Sequence, residues 1–327
     1  MMCCFYPTTT VAIDDDVDFL RMITQHLDIP DCVSYSSPKQ AIQLLKKNSS
    51  FERIQSRIFK KATHPENMDE HTFSINLHNL HHEIYSDERF KDVSVIVVDY
   101  YMDELTGIEV CEALADHPAK KILLTGGSDK EKIAIEAFNK GIIHRFINKT
   151  DVNFPTQLKN SIAILKDAYF RDLTSSFFPN FTSESINLLN NPTYINFFKN
   201  LQHQFDAVEY YIFDNNGSSV LLDKIGTPTW VVIKQDDELN NLGKIAEDNE
   251  TDIQLLQTLF DRNQIPFFFT ENDYQQQASE WQQFLYTAHP FPGLKKHHYS
   301  IIEGHVRNNL SQEKIVPYVR WDLCNAT

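Results

Sequence analysis

A chain of 327 residues has room for about two domains, and its 42% hydrophobic and 12% aromatic content is enough for packed cores, which excludes global disorder. A net charge of −15 argues against generic nucleic-acid or anionic-membrane binding, which needs concentrated Lys and Arg. No uncharged run approaches the roughly 18 residues of a membrane span, Met1-Met2-Cys3-Cys4 lacks the features of a secretory leader, and the five cysteines have no metal-site spacing. The expectation is a cytoplasmic protein with reduced thiols, and with neither nucleic acid nor membrane among its partners.

In chain order, Thr10-Val11-Ala12-Ile13 reads as a short strand ending in Asp14-Asp15-Asp16. Asp18 to Leu27 carries helical spacing at Phe19, Leu20, Ile23 and Leu27; Cys32 to Tyr35 is a strand; Ser37-Pro38 opens a helix whose first turn suits proline. Val93 to Val98 is the most apolar short run of the first half, β-branched enough for a buried parallel strand, and Asp99 follows it. After a helix at Leu105 to Leu114, the strand Lys121 to Leu124 delivers Thr125-Gly126-Gly127. A helix at Lys130 to Lys140 then ends at Gly141, a good C-cap, and Phe146-Ile147-Asn148-Lys149 is a strand ending in a lysine. Phe154 to Phe170 is helical and runs on through Leu173 toward Phe178. Such alternation predicts a doubly wound parallel α/β sheet of five strands.

Ligands bind at the carboxyl edge of such a sheet. Asp14, Asp15, Asp99, Thr125 and Lys149 all sit just after strands. They supply carboxylates for a hard cation such as Mg²⁺, a carboxylate nucleophile, a hydroxyl donor and an ammonium. Taken singly, each is explained as a cap, a turn or a surface residue. Four matches on four strand ends, in order, form a set suited to holding a phosphoryl group.

Residues of about 8–170 resemble the receiver domain of bacterial two-component response regulators, a flavodoxin-like fold. The resemblance rests on Ile13 through Leu20, on Asp99-Tyr100-Tyr101-Met102 with Gly107 eight residues after Asp99, on Thr125, on Gly141-Ile142-Ile143 and on Phe146 through Lys149. It implies that Asp99 accepts a phosphoryl group from a sensor histidine kinase. Asp15, Asp99 and the Tyr101 carbonyl would bind Mg²⁺ directly, and Asp14 through water. Thr125 and Lys149 would bind phosphoryl oxygens, and Phe146 occupies the aromatic switch position. Two prolines usual in the family are absent, with Asp103 and Thr150 in their places; this removes conformational restraints, not chemical groups. A haloacid-dehalogenase-type phosphatase is the rival, since Asp14-Asp15-Asp16 contains Asp-x-Asp. Asp18 stands where that motif wants Thr or Val, and Asp99 and Gly107 are left unexplained.

The predicted domains are a receiver at 1–151 with an insertion at about 51–90, a last receiver helix and linker at 152–185, and an α+β output domain at 186–327. The insertion follows from the 84 positions between Asp15 and Asp99, where the elements need roughly 45. It is expected to pack over one receiver edge. Its His78, His81 and His82 invite a metal reading, against which a polar face opposite Ile75, Leu77, Leu80 and Ile84 is favoured. From residue 181 onward, 10 Lys/Arg face 19 Asp/Glu, with no basic helix and no phosphate loop. Glu209 to Asp214, Asn215-Asn216-Gly217 and Ser219 to Asp223 form a hairpin leading into Thr229 to Lys234, an antiparallel meander loosely like a PAS-type sensor. Asp214, Asp223, Asp236 and Asp237 read as turn and cap residues, and His297-His298 as surface. The functional expectation is a phosphorylation-switched, non-enzymatic output acting through protein–protein interaction or homodimerisation. The alternative is a receiver-gated enzyme or small-ligand sensor.

Overall fold

The computed structural model describes residues 1–27, 29–47, 59–61, 73–75, 77–127, 131–177, 183–248, 253–268, 278–304 and 315–318. The chain divides into two compact units. One is built chiefly from Tyr6–Phe59 and Asp87–Phe177, the other from Met1–Phe5, Lys60–Ser86 and Phe178–Arg320.

In chain order the strands are β1 (Cys4–Phe5), β2 (Thr9–Ile13), β3 (Cys32–Tyr35), β4 (Phe59–Lys61), β5 (Phe73–Ile75), β6 (Val93–Asp99), β7 (Lys120–Thr125) and β8 (Arg145–Asn148), then β9 (Glu209–Ile212), β10 (Ser219–Leu222), β11 (Pro228–Gln235), β12 (Gln264–Pro266), β13 (Leu285–Thr287), β14 (His289–Pro290) and β15 (His297–Glu303). The α-helices are α1 (Val17–Arg21), α2 (Pro38–Leu45), α3 (Gly107–Ala113), α4 (Glu131–Asn139), α5 (Phe154–Phe177), α6 (Ser183–Leu189), α7 (Pro192–Gln204), α8 (Asp236–Asp248) and α9 (Ile253–Phe260).

In the first unit β3-β2-β6-β7-β8 form a five-stranded parallel sheet, the doubly wound arrangement that the alternation predicts. Every residue of β6 is buried, as a central strand covered on both faces requires. Alternate side chains go to opposite faces: Ile96 and Val98 pack with α2, α3 and α4, whereas Val95 and Val97 pack with α1 and α5. Each fully buried Val or Ile here contributes roughly 1.5–3 kcal/mol.

Helix starts follow local chemistry. The Asp16 carboxylate accepts from the Asp18 and Phe19 amides at the start of α1, Ser37 caps α2 ahead of Pro38, and Thr106 with Glu109 makes a capping box on α3. Gly141 ends α4 at φ +71, where the Ile142 amide reaches back to Ala137 O (3.0 Å), a left-handed helix stop. The helix expected over Asp18 to Leu27 splits: α1 continues as a π-helical turn at Met22–His26.

The second unit holds a six-stranded antiparallel sheet in the order β1-β9-β10-β11-β15-β14. The β9–β10 hairpin turns at Gly217, φ +80, with the Tyr194 hydroxyl donating to Gly217 O (2.7 Å). Two parts of the chain lie differently from the expected boundaries. Cys4–Phe5, expected within 1–151, is the edge strand of this sheet, pairing with Tyr211 and Tyr210. The insertion residues Leu77–Tyr85, expected over a receiver edge, form a 3-10 helix beside β9 in this unit. Buried Leu80 and Ile84 explain why, since apolar side chains follow available core and not chain proximity. Ile265 belongs to β12, which pairs with β13 as a separate two-stranded sheet. Cys32 and Cys111 are free thiols, and burial pushes Cys111 up to about 12, so it is inert at neutral pH.

His144 accepts a hydrogen bond from the Lys121 amide through Nδ1 (3.1 Å). Burial, reinforced by Lys120 and Lys121, lowers its pKa to about 4. The unfolded chain therefore binds a proton that the folded chain refuses between about pH 6.5 and 4, and stability falls as pH drops through that window. Replacing it with Asn, which keeps an acceptor, is expected to flatten this loss: urea midpoints at pH 7 and pH 4.5 differ less in His144→Asn than in wild type.

Candidate functional site

Parallel pairing brings the ends of β2, β6, β7 and β8 to one carboxyl edge, where Asp14, Asp99, Thr125 and Lys149 stand. Lys149 Nζ lies 2.6 Å from Asp14 Oδ2 and 2.7 Å from Asp99 Oδ1. Asp14 is 2% exposed and Asp99 7%, so two carboxylates meet in a nearly dry site with one ammonium between them. Burial pushes the Asp14 carboxyl up, while its Lys149 bond and the Asp16 amide (2.9 Å to Oδ1) pull it back down.

The remaining oxygen of Asp99 accepts from the Tyr101 amide at 3.1 Å. Gly107 explains its own spacing from Asp99: a Cβ there would lie 2.2 Å from Asp99 O and 2.7 Å from Leu123 Cδ1. Its amide also donates to Tyr100 O (3.0 Å), closing the loop after β6. Thr125 is buried, and its carbonyl accepts the Lys149 amide (2.8 Å), so hydroxyl and ammonium are delivered by one hydrogen-bonded pair of strands. Phe146 is half-buried against the α2–α3–α4 side of the core. Tyr101 is 54% exposed and meets Tyr100 edge to face.

One participant escapes the sequence reading. The Phe19 ring lies under Lys149 Nζ, 4.0 Å from its centroid, and packs on Phe154. Such a cation–π contact holds the ammonium over the site. In the sequence Phe19 looks like an ordinary helix residue; only its place four residues after Asp15 hints at this role.

The two non-proline positions use the amides that proline lacks. Asp103 N donates to Asp15 Oδ2 (2.9 Å) and Thr150 N to Asn148 Oδ1 (2.9 Å). Asp15 is exposed and turned toward Asp103. Among the described residues, no three His, Cys, Asp or Glu side chains converge closely enough to hold a metal ion. The donor chemistry nevertheless suits a hard cation, with carboxylates at Asp14, Asp15 and Asp99 and peptide oxygens on one sheet edge.

The Asp-x-Asp of the rival reading does not act as a pair: Asp16 caps α1, and Asp18 bonds Arg21 at 3.1 Å in solvent. In the second unit Asp214 accepts from the Asn216 and Ser218 amides and Asp223 from those of Ile225 and Thr227, as turn residues do. His298, expected on the surface, instead bonds Asp236 Oδ1 at 3.0 Å, which also accepts from Arg262 Nε at 3.2 Å. The antiparallel partner strand delivers it there, opposite Lys234. The side chains of His78 and His81 lie outside the described residues; His82 is exposed.

The parallel sheet is the flavodoxin-like receiver fold, and the chain resembles a two-component response regulator with an atypical C-terminal domain. It is similar over nearly its whole length to the response regulator LqsR of Legionella pneumophila, with 29% identity over 98% of this chain and 95% of that one, at a TM-score of 0.75. Partial matches include an adenylate cyclase from Rhodopirellula baltica (19% identity, 54% of this chain, 99% of that, TM-score 0.36). Another is a receiver domain of a putative Luxo repressor from Vibrio parahaemolyticus (16%, 51%, 95%, TM-score 0.33). No protein-family profile matches the chain, and no curated protein sequence does. No described helix is long and apolar enough to cross a membrane.

Two substitutions test this geometry. Gly107→Ala is expected to destabilise by about 1–3 kcal/mol, because the new Cβ overlaps backbone that cannot yield; urea denaturation reads it. Lys149→Met leaves two buried carboxylates without a counter-ion; Asp14, whose carboxyl burial already pushes up, loses the Lys149 bond that pulls it down and binds a proton more readily in the folded state. Its melting temperature should fall at pH 7.5 and partly recover at pH 5; an equal deficit at both pH values would refute the dependence on Lys149.

Proposed function

We propose that the chain is a cytoplasmic response regulator whose Asp99 accepts a phosphoryl group from a sensor histidine kinase. The observation that carries this reading is the Lys149 ammonium bonded to both Asp14 and Asp99 at the carboxyl edge of the sheet. An Asp99 carboxylate oxygen attacks phosphorus as the bond from phosphorus to the kinase imidazole nitrogen breaks, and the electron pair returns to that nitrogen. Lys149 then shifts from the carboxylates to a phosphoryl oxygen, and the Thr125 hydroxyl donates to another. Phe146, half-buried beside the α4 side of the core, follows Thr125 inward. Asp14, Asp15, Asp99 and the Tyr101 carbonyl oxygen would hold Mg²⁺, which when bound offsets the negative charge gathered by carboxylates and phosphoryl oxygens.

The output proposed is protein–protein interaction or homodimerisation, with no DNA reading. The acidic composition from residue 181 onward supports this, since 10 Lys/Arg against 19 Asp/Glu is the wrong balance for a phosphate backbone.

With acetyl phosphate and Mg²⁺, intact-mass analysis should show one phosphoryl adduct on wild type and none on Asp99→Asn. An adduct that survives in Asp99→Asn and vanishes in Asp14→Asn would instead favour the phosphatase-like nucleophile. Light scattering with and without beryllofluoride, a mimic of the Asp99 phosphoryl group, should show a change in assembly. Exposed Tyr101 flanks the site, and its ring is proposed to shield the acyl phosphate. Tyr101→Ala should therefore lose phosphate faster than wild type; equal or slower loss removes that role.

A further inference from the structure

The loop after β6 is tied to two other strand ends by hydrogen bonds. Asp103 N donates to Asp15 Oδ2 at 2.9 Å. Next to it, Glu104 accepts from Ser37 Oγ at 3.0 Å and lies 3.8 Å from Lys39 Nζ, at the start of α2. The exposed lysine pair is worth little, but the Ser37 bond anchors the loop on its far side. So anchored, the loop presents the Asp103 amide as a fixed donor. Asp15 turns to it, and the three acids of the edge do not converge among the described residues. Lys149 holds the other two carboxylates together, which leaves Asp15 as the carboxylate still to be brought in.

We infer that the Asp103 amide is a latch that holds Asp15 out of the cation site, so that Mg²⁺ binding must release it. Asp103 is thus a positioning residue, acting through Asp15. The inference rests on the receiver reading of this edge. A proline at 103 has no amide hydrogen and could not form the latch.

The test uses the full chain and Mg²⁺ alone. Amide hydrogen exchange needs no variant: Asp103 should be protected in the metal-free protein and lose protection at saturating Mg²⁺. Calorimetric titration should show Asp103→Pro binding Mg²⁺ about tenfold more tightly than wild type, the worth of one hydrogen bond to a charged group, with Asp103→Asn within about twofold. Persistent protection with Mg²⁺ bound overturns the latch while leaving the receiver reading intact. So does unchanged or weaker binding by a folded Asp103→Pro, or equal tightening in both variants. Absence of any Mg²⁺ binding in wild type overturns both. Should Asp103→Pro not fold, the exchange measurement decides alone.

Discussion

The described site depends on one electrostatic arrangement, the Lys149 ammonium set between the carboxylates of Asp14 and Asp99. Two ionised groups this deeply buried would repel each other strongly in a medium that screens poorly. Lys149, within 2.6 Å of Asp14 Oδ2 and 2.7 Å of Asp99 Oδ1, offsets that repulsion. The lysine is in turn fixed: its backbone amide is bonded to Thr125 O, and its side chain rests over Phe19. Two neighbouring features complete the surroundings of Asp99. Gly107 lets α3 approach Asp99 O, and the Tyr101 amide takes up the carboxylate oxygen that Lys149 does not reach.

The chain obtains its loop geometry by means different from a proline ring. At Asp103 and Thr150 the amide hydrogens are donated to Asp15 and Asn148, so the loops are restrained by bonds that can break and re-form. A ring restrains a dihedral permanently, whereas a hydrogen bond to a carboxylate competes with any other ligand of that carboxylate. Through this bond the loop after Asp99 is tied to Asp15.

Much of the parallel unit was legible in the sequence. The Val93–Val98 run is β-branched and uncharged, so it announces a buried strand, and the residues after the other strands announce the edge. Ser37-Pro38 and Gly141 mark helix ends because capping is local chemistry. Less was legible in the antiparallel unit. Asn216-Gly217 reveals its hairpin, but nothing near Cys4–Phe5 says that these residues pair with Tyr211 and Tyr210, some 200 positions away. His298 looks like surface until β15 sets it beside Asp236, and Phe19 looks like any core aromatic until Lys149 lies over it.

In the parallel unit, residue type and spacing alone therefore determined which segments become the strands of the sheet, which helices they alternate with, and which chemical groups sit at strand ends. These depend on near neighbours in the chain. The tertiary structure decided which of those groups meet. Lys149 and Asp14 are 135 residues apart, and only the pairing order of the sheet makes them partners at 2.6 Å. It also turned Asp15 toward Asp103, because the direction of an exposed carboxylate is settled by whichever donor the fold places beside it.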